Sequence, residues 1–175
     1  MKIALVLLCS VAWAQGPEFT KDGKLMRPAD YSEWIFVSSG LGMTYGSEGP
    51  AGQRFDNVFV NRAAYKEFLK SGAWPDKTMF VLEVREAASK GSINLAGHYQ
   101  SEDFRLSAEV KDSRRFKDKW EYFAFPASGE PAQPLPRTAG CFACHSQHGA
   151  VENTFVQFYP TLLKVAREKG TLKER

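Results

Sequence analysis

Alternating apolar and polar residues predict that the middle of the chain forms a β-sheet. The segments RFDNVFV (54–60) and TMFVLEVREA (78–87) alternate with the two-residue period of a strand. In the second segment this period places Phe80 and Leu82 on one face and Met79 on the other. Shorter apolar runs within GHYQSEDFRLSAEVKD and WEYFAFP, and around residues 34–38, predict further strands. We therefore expect most of the middle of the chain to be antiparallel sheet.

Two other segments have the period of a helix. Asn61 is expected to cap a helix over residues 62–71, RAAYKEFLKS, whose apolar residues form one stripe and which ends before Gly72. The chain beyond Pro160 also has a helical pattern. The predicted fold class is therefore α+β: mainly antiparallel β-sheet, with flanking helices.

Glycine and proline mark the segments that connect these elements. Residues 39–53, SGLGMTYGSEGPAGQ, are rich in glycine and predict a loop. Residues 126–137, PASGEPAQPLPR, contain four prolines in twelve residues and predict a stiff connector. This connector leads directly into the segment that carries the chain's candidate chemistry.

The first residues have the pattern of a signal peptide. One lysine precedes an apolar run over residues 3–11, and Ala12-Trp13-Ala14 then gives the small-x-small pattern of a cleavage site. We expect residues 1–14 to be removed on export, so that the protein is periplasmic or secreted. Residues 15–30 would form an N-terminal extension and residues 31–170 one domain.

Charge and hydropathy exclude two classes of partner. The formal net charge is only +3 and there is no basic run with interleaved aromatic residues, so nothing indicates nucleic-acid binding. The apolar run near the start is too short for a membrane span, and no later stretch approaches the roughly 20 apolar residues that a span needs. We expect no membrane-spanning segment.

The motif CFACH carries the candidate chemistry. Cys9 lies in the predicted signal peptide, so Cys141 and Cys144 would be the only thiols of the mature protein. With His145 they form the CxxCH pattern of covalent haem c attachment, in which two thiols add to the haem vinyl groups and the histidine becomes an axial iron ligand. One covalent haem c is therefore predicted.

Three other interpretations of this motif are weaker. A thioredoxin-like CxxC normally opens a helix after a strand near the start of its domain, whereas this pair follows a proline-rich connector near the end. Zinc could bind Cys141, Cys144 and His148, but a structural zinc site requires four ligands. A simple disulfide remains possible in an oxidising compartment.

Several segments together resemble a known family. YSEWIFVSSGLG, FDNVFVNRAAYKEFLKSGAWPDKTMF, SAEVKDSRRF, CFACH and TFVQFYP, from about Tyr31 to about Leu163, resemble in this order the cytochrome P-460 family, which includes the cytochromes c′-beta. The resemblance implies a mostly β fold, commonly a homodimer, with one haem c. It also implies an iron bound by His145, with an open or exchangeable distal position.

The resemblance also identifies positions on the distal side. Members that oxidise hydroxylamine carry a haem-linked lysine, a distal glutamate and a distal arginine, and these positions fall on Leu82, Ser107 and Asp56. These three departures from the family pattern argue against hydroxylamine oxidation. Whether the protein is an enzyme stays open. An alignment shifted by two residues would place Glu109 at the distal glutamate position.

The c′-beta members suggest a different activity. Their distal side is lined by phenylalanine, and they bind nitric oxide or carbon monoxide. Here the aromatic candidates beside Leu82 are Phe80, Phe55 and Phe36, of which Phe80 shares a strand face with Leu82. We expect a five-coordinate iron with an apolar distal pocket that binds small diatomic gases.

Two alternatives to gas binding are kept. One is an oxidoreductase acting on hydroxylamine or nitric oxide. The other is a six-coordinate electron-transfer cytochrome with a periplasmic redox partner, in which Met43, Met79 or His98 would supply the sixth ligand. Two amines near the distal strand, Lys77 and Lys90, are expected to be solvated turn residues.

Overall fold

The computed structural model describes residues 16–45 and 52–173, and its centre is a five-stranded antiparallel sheet. The strands lie side by side in chain order: β1 (Ile35–Leu41), β2 (Arg54–Val60), β3 (Met79–Ala88), β4 (Tyr99–Lys111) and β5 (Trp120–Ala124). The α-helices are α1 (Arg62–Ser71), α2 (Cys141–His148) and α3 (Pro160–Glu168). This arrangement confirms the predicted α+β fold class.

The strand register fixes which side chains share a face of the sheet. Leu82 of β3 lies opposite both Val58 of β2 and Ser107 of β4. Two residues along β3, Phe80 lies opposite Glu109. Because side chains alternate between faces along a strand, all five of these residues belong to the same face.

Helices α1 and α3 cover part of that face. Phe68 of α1 and Leu162 of α3 are fully buried and join Phe80 in one apolar cluster. Gly72 ends α1 with a φ of 72°, a left-handed conformation that glycine adopts without strain. The remaining part of the face stays open beneath α2.

The opposite face is covered largely by the N-terminal segment. Leu25 is fully buried against Met79 and Val81, and its backbone pairs with Ala132 of the proline-rich connector. The segment predicted as an extension therefore packs on the sheet. The predicted signal peptide, and residues 46–51 of the predicted glycine-rich loop, lie outside the described residues.

A buried carboxylate is held on this second face. Glu83 of β3 accepts a hydrogen bond from the Tyr31 hydroxyl at 2.6 Å and one from Asn57 Nδ2 at 3.0 Å. The guanidinium of Arg85 pairs with the same carboxylate at 2.7 Å. Burial alone would raise the pKa of Glu83, but these three donors hold it below its ordinary value.

Asn61 occupies the predicted N-cap position of α1, but its side chain makes no capping hydrogen bond to that helix. Instead Oδ1 accepts from the Met79 backbone N–H at 2.9 Å, and Nδ2 donates to the Lys77 carbonyl at 3.2 Å. Asn61 thus joins the start of α1 to the start of β3. No helix in the described part of the chain is long and apolar enough to cross a membrane.

Candidate cofactor site

Helix α2 brings the predicted attachment residues together. Cys141, Cys144 and His145 stand at positions i, i+3 and i+4 of this helix, so they share one side of it. Both thiols are free and half-buried. Gly140 has a φ of 78° and turns the chain from the connector into the helix.

The imidazole of His145 is fixed through one of its two nitrogens. Nδ1 lies 2.8 Å from the carbonyl oxygen of Asn153, which follows α2 in the chain. The ring also contacts the rings of Tyr122 and Phe155, at centroid distances of 4.6 and 4.4 Å. A ring whose Nδ1–H donates to a carbonyl keeps Nε2 as its metal-binding nitrogen, an arrangement common among metal-bound histidines.

The turn after α2 depends on a close backbone approach at Gly149. A β-carbon there would lie 2.6 Å from the His145 carbonyl oxygen and 2.7 Å from the Asn153 carbonyl carbon. Only glycine fits without moving the backbone. The tight turn brings the Asn153 carbonyl back to the imidazole.

A carboxylate also contacts Nδ1 of His145. Glu109 Oε2 lies 2.9 Å from this nitrogen, yet among the described residues it has no directed hydrogen-bond partner. Nδ1 carries a single proton, and the Asn153 carbonyl is its aligned acceptor, so Glu109 acts on the ring through its negative charge and not through a hydrogen bond. Burial alone would lower the pKa of His145, but the Glu109 carboxylate and the Asn153 carbonyl raise it above its ordinary value.

A cavity of about 350 Å³ lies between the sheet and α2. All five strands contribute to its wall, and Cys141, Cys144 and His145 line the α2 side. The sheet side is mainly apolar, with Val58, Phe80 and Leu82 in the lining.

The distal candidates differ in where they lie. Leu82, Phe80 and Ser107 line the cavity. Phe55 is not among the lining residues, because strand alternation places it on the opposite face from Asp56. Phe36 is also outside the lining and packs its ring against Phe59.

The three candidates for a sixth iron ligand also differ in where they lie. Met43 lines the cavity, whereas Met79 is buried in the apolar cluster on the other face. His98 is exposed in the turn that precedes β4. Of these three residues, only Met43 reaches the cavity.

The amines near the distal strand lie elsewhere. Lys77 pairs with Asp112, and Lys90 is exposed. Neither lysine is among the residues that line the cavity.

Asp56 adds a polar group to the cavity wall. It is buried, and its Oδ2 has no hydrogen-bond partner among the described residues. Arg54 Nε lies 3.4 Å from Oδ1. Burial raises the pKa of Asp56 above its ordinary value, although Arg54 and Arg105 oppose the shift.

The role of Glu109 was not foreseen from the sequence. A carboxylate was expected in the pocket only if the alignment slipped by two residues. The register pairs Leu82 with Ser107, and Glu109 lines the cavity on the same face without any slip. The two-residue spacing from Ser107 could have indicated this placement, but not the contact with His145.

Comparison with known families identifies the chain. Residues 28–156 match the family described as Cytochrome P460, and this match covers most of the chain. The protein therefore belongs to the cytochrome P460 family, and membership implies a haem cofactor. A search among curated proteins found no significant match.

The residues present fit such a cofactor. Two free thiols and a histidine with an available Nε2 lie on one side of α2 and line the cavity. This donor set is that of haem c attachment. In contrast, residues 16–45 and 52–173 contain no cluster of three or more His, Cys, Asp or Glu side chains that could hold a metal ion.

Proposed function

We propose that this protein is an exported c-type cytochrome that carries one covalent haem c and binds nitric oxide or carbon monoxide. The observation that carries the proposal is the placement of Cys141, Cys144 and His145 along one wall of an otherwise mainly apolar cavity. Cys141 and Cys144 would form the thioether links and His145 the axial ligand. When bound, a haem c supplies a redox-active iron that binds diatomic gases.

The apolar part of the wall supports this choice of ligand. Leu82, Val58 and Phe80 offer no hydrogen bonds to replace the water that an anion or a strongly polar ligand would leave. Burying an unpaired polar group costs roughly 2–7 kcal/mol. Nitric oxide and carbon monoxide lose little hydration and escape this cost.

Hydroxylamine oxidation is less well supported. Leu82 provides no amine for a haem cross-link, and Ser107 and Asp56 stand where the resemblance implies a glutamate and an arginine. We therefore propose ligand binding, rather than oxidation of hydroxylamine, as the activity of this cavity.

A six-coordinate electron carrier is a second candidate. Met43 supports it, because its thioether sulfur is a known axial ligand type and the residue lines the cavity. Such a carrier would exchange electrons with a periplasmic redox partner. The resemblance also suggests a homodimer, and the signal sequence suggests a periplasmic or secreted location.

Covalent attachment is tested by intact mass. The full chain would be expressed with haem-attachment machinery in an oxidising compartment. We expect the mature polypeptide plus one haem, starting at Gln15, and no attachment in a variant with both Cys141→Ser and Cys144→Ser. A bare polypeptide with a disulfide or zinc would refute the proposal.

Absorption spectra then separate the two candidates. Gas binding predicts a high-spin reduced spectrum that shifts when carbon monoxide is added. A low-spin spectrum indifferent to carbon monoxide, converted to a responsive one by Met43→Leu, would show instead that Met43 closes the sixth position. Met79→Leu is the matched control, because Met79 lies on the other face of the sheet.

A further inference from the structure

Glu109 is the group whose placement the proposed attachment does not explain. Its side chain is only 8% exposed, and it lies beside the imidazole that would bind the iron. We infer that Glu109 is a positioning residue that holds the His145 ring and lowers the reduction potential of the cofactor. This inference rests on the proposed function, because it requires His145 as the axial ligand.

The geometry holds the ring from two parts of the fold. Glu109 belongs to β4, where it pairs with Phe80 on one side and Tyr122 on the other. Asn153 belongs to the turn after α2, and its carbonyl reaches the same Nδ1. The central sheet and the attachment segment therefore meet at one imidazole nitrogen, which leaves Nε2 as the nitrogen for coordination.

The other charged residues nearby are engaged elsewhere. Lys111, two residues along β4, donates to Glu152 and to the Trp74 carbonyl. Asp112 pairs with Lys77. Within the described chain, the only ion pair shown for the Glu109 carboxylate is with His145.

A carboxylate beside Nδ1 changes the electronic properties of the ligand. Its negative charge, 2.9 Å from Nδ1, polarises the ring toward Nε2 and makes that nitrogen a stronger electron donor. Stronger donation and a nearby negative charge both stabilise the oxidised iron relative to the reduced iron. Charges act strongly at this position because water is largely excluded.

The test compares reduction potentials of the haem-loaded protein. Glu109→Gln keeps the size of the side chain but removes its charge, and we expect the ratio of reduced to oxidised protein at a fixed potential to rise at least tenfold. For one electron this corresponds to about 59 mV in the positive direction. The iron–histidine stretching frequency, measured by resonance Raman spectroscopy on the reduced protein, should fall at the same time.

A matched control separates a local effect from a general loss of charge. Glu121 lies on β5 beside Tyr122, but its carboxylate pairs with Arg137 at 3.5 Å and it does not line the cavity. Glu121→Gln should leave the reduction potential and the iron–histidine stretching frequency near those of the parent. If Glu109→Gln behaves like this control, the inference is overturned.

A second variant keeps the test decisive if Glu109→Gln does not fold. Glu109→Asp retains the charge but moves it away from His145 by about the length of one methylene group. The reduction potential of this variant should therefore be higher than that of the parent, and its iron–histidine stretching frequency should be lower. Parental values for both readouts would overturn the inference. A parent protein that attaches no haem would refute the proposed function instead, which is a different outcome.

Discussion

Leu82 and Ser107 lie directly opposite each other across β3 and β4, and both line the cavity. These are the two positions at which the resemblance implies a cross-linking lysine and a distal glutamate in hydroxylamine-oxidising members. A hydrocarbon and a hydroxyl side chain thus face each other where those members would have an amine and a carboxylate. This protein therefore lacks, at one pair of facing positions in the sheet, the amine and the carboxylate that the resemblance implies for hydroxylamine oxidation.

The first prediction follows from this pair. Leu82 cannot form a covalent bond to haem, so Cys141 and Cys144 should be the only residues attached to it. Peptide mapping of the digested haem-loaded protein measures this directly. Haem found on Lys77, Lys90 or any residue of β3 would contradict the prediction. Hydroxylamine oxidation should be slow or absent in the same preparation.

Phe80 should control both stability and access to the cavity. Its side chain is 2% exposed and packs against Trp74 and Tyr159. Phe80→Ala should lower the free energy of unfolding by about 3–5 kcal/mol and speed carbon monoxide binding by opening the cavity. Urea denaturation and flash photolysis measure the two effects.

Phe36→Ala is the control for this variant. Phe36 is 54% exposed, so its replacement should change stability much less and leave carbon monoxide binding unaltered. Equal binding rates in the Phe80 and Phe36 variants would show that Phe80 does not restrict ligand entry.

Glu83 should make stability depend on acidity. Its donors hold the folded-state pKa below the ordinary value of 4.5, so its contribution is fully present above pH 4.5 and is lost as the pH falls through the folded pKa. Glu83→Gln should therefore destabilise the protein at pH 7 by about 3 kcal/mol. The difference from the parent should shrink in acid, as measured by denaturation across pH. A constant difference at every pH would mean that the charge of Glu83 does not contribute.

Asp56 should have the opposite effect. Burial raises its pKa, so the folded protein holds this proton more tightly than the unfolded chain, and the carboxyl costs stability as the pH rises above 3.8. Asp56→Asn should be more stable than the parent at pH 7. Below pH 3.8 the two proteins should have similar stability, because the carboxyl is then protonated in both the folded and the unfolded state.

Asp76→Asn is the control, because its effect on stability at pH 7 should be opposite to that of Asp56→Asn. Hydrogen bonds from Ser113 lower the pKa of Asp76, so its replacement should weaken the protein at pH 7 and matter less in acid. If Asp56→Asn also weakened the protein at pH 7, the ion pair with Arg54 would outweigh the burial of Asp56.

Strands and helices could be predicted from the sequence because their signals are local. The alternation in β2 and β3 and the apolar stripe of α1 each fall within about ten residues. The sequence also indicated the faces of β3, since Phe80 and Leu82 line the cavity while Met79 does not. The CxxCH motif was recognisable because its spacing is short and fixed.

Contacts between distant segments could not be predicted in this way. Asn61 looked like a helix cap, but its side chain bonds to the backbone of residues that follow α1. The contact between Glu109 and His145 depends on how the turn at Gly149 returns the chain to the sheet. Phe55 was a candidate only because it is aromatic; the alternation of β2, in which Asp56 and Val58 line the cavity, places it on the opposite face.

Helix α2 contains no buried residue, although it carries Cys141 and Cys144, the proposed attachment thiols, and His145, the proposed axial ligand. The apolar clusters that stabilise the sheet are built from other elements. Segments with few buried contacts open at lower free energy than the rest of a protein. Before the cofactor is attached, we therefore expect amide hydrogens of α2 to exchange faster than those of β3, which would let the thiols swing outward while the sheet remains intact. Attachment should then slow this exchange, so that the cofactor would stabilise helix α2, the helix to which it is attached.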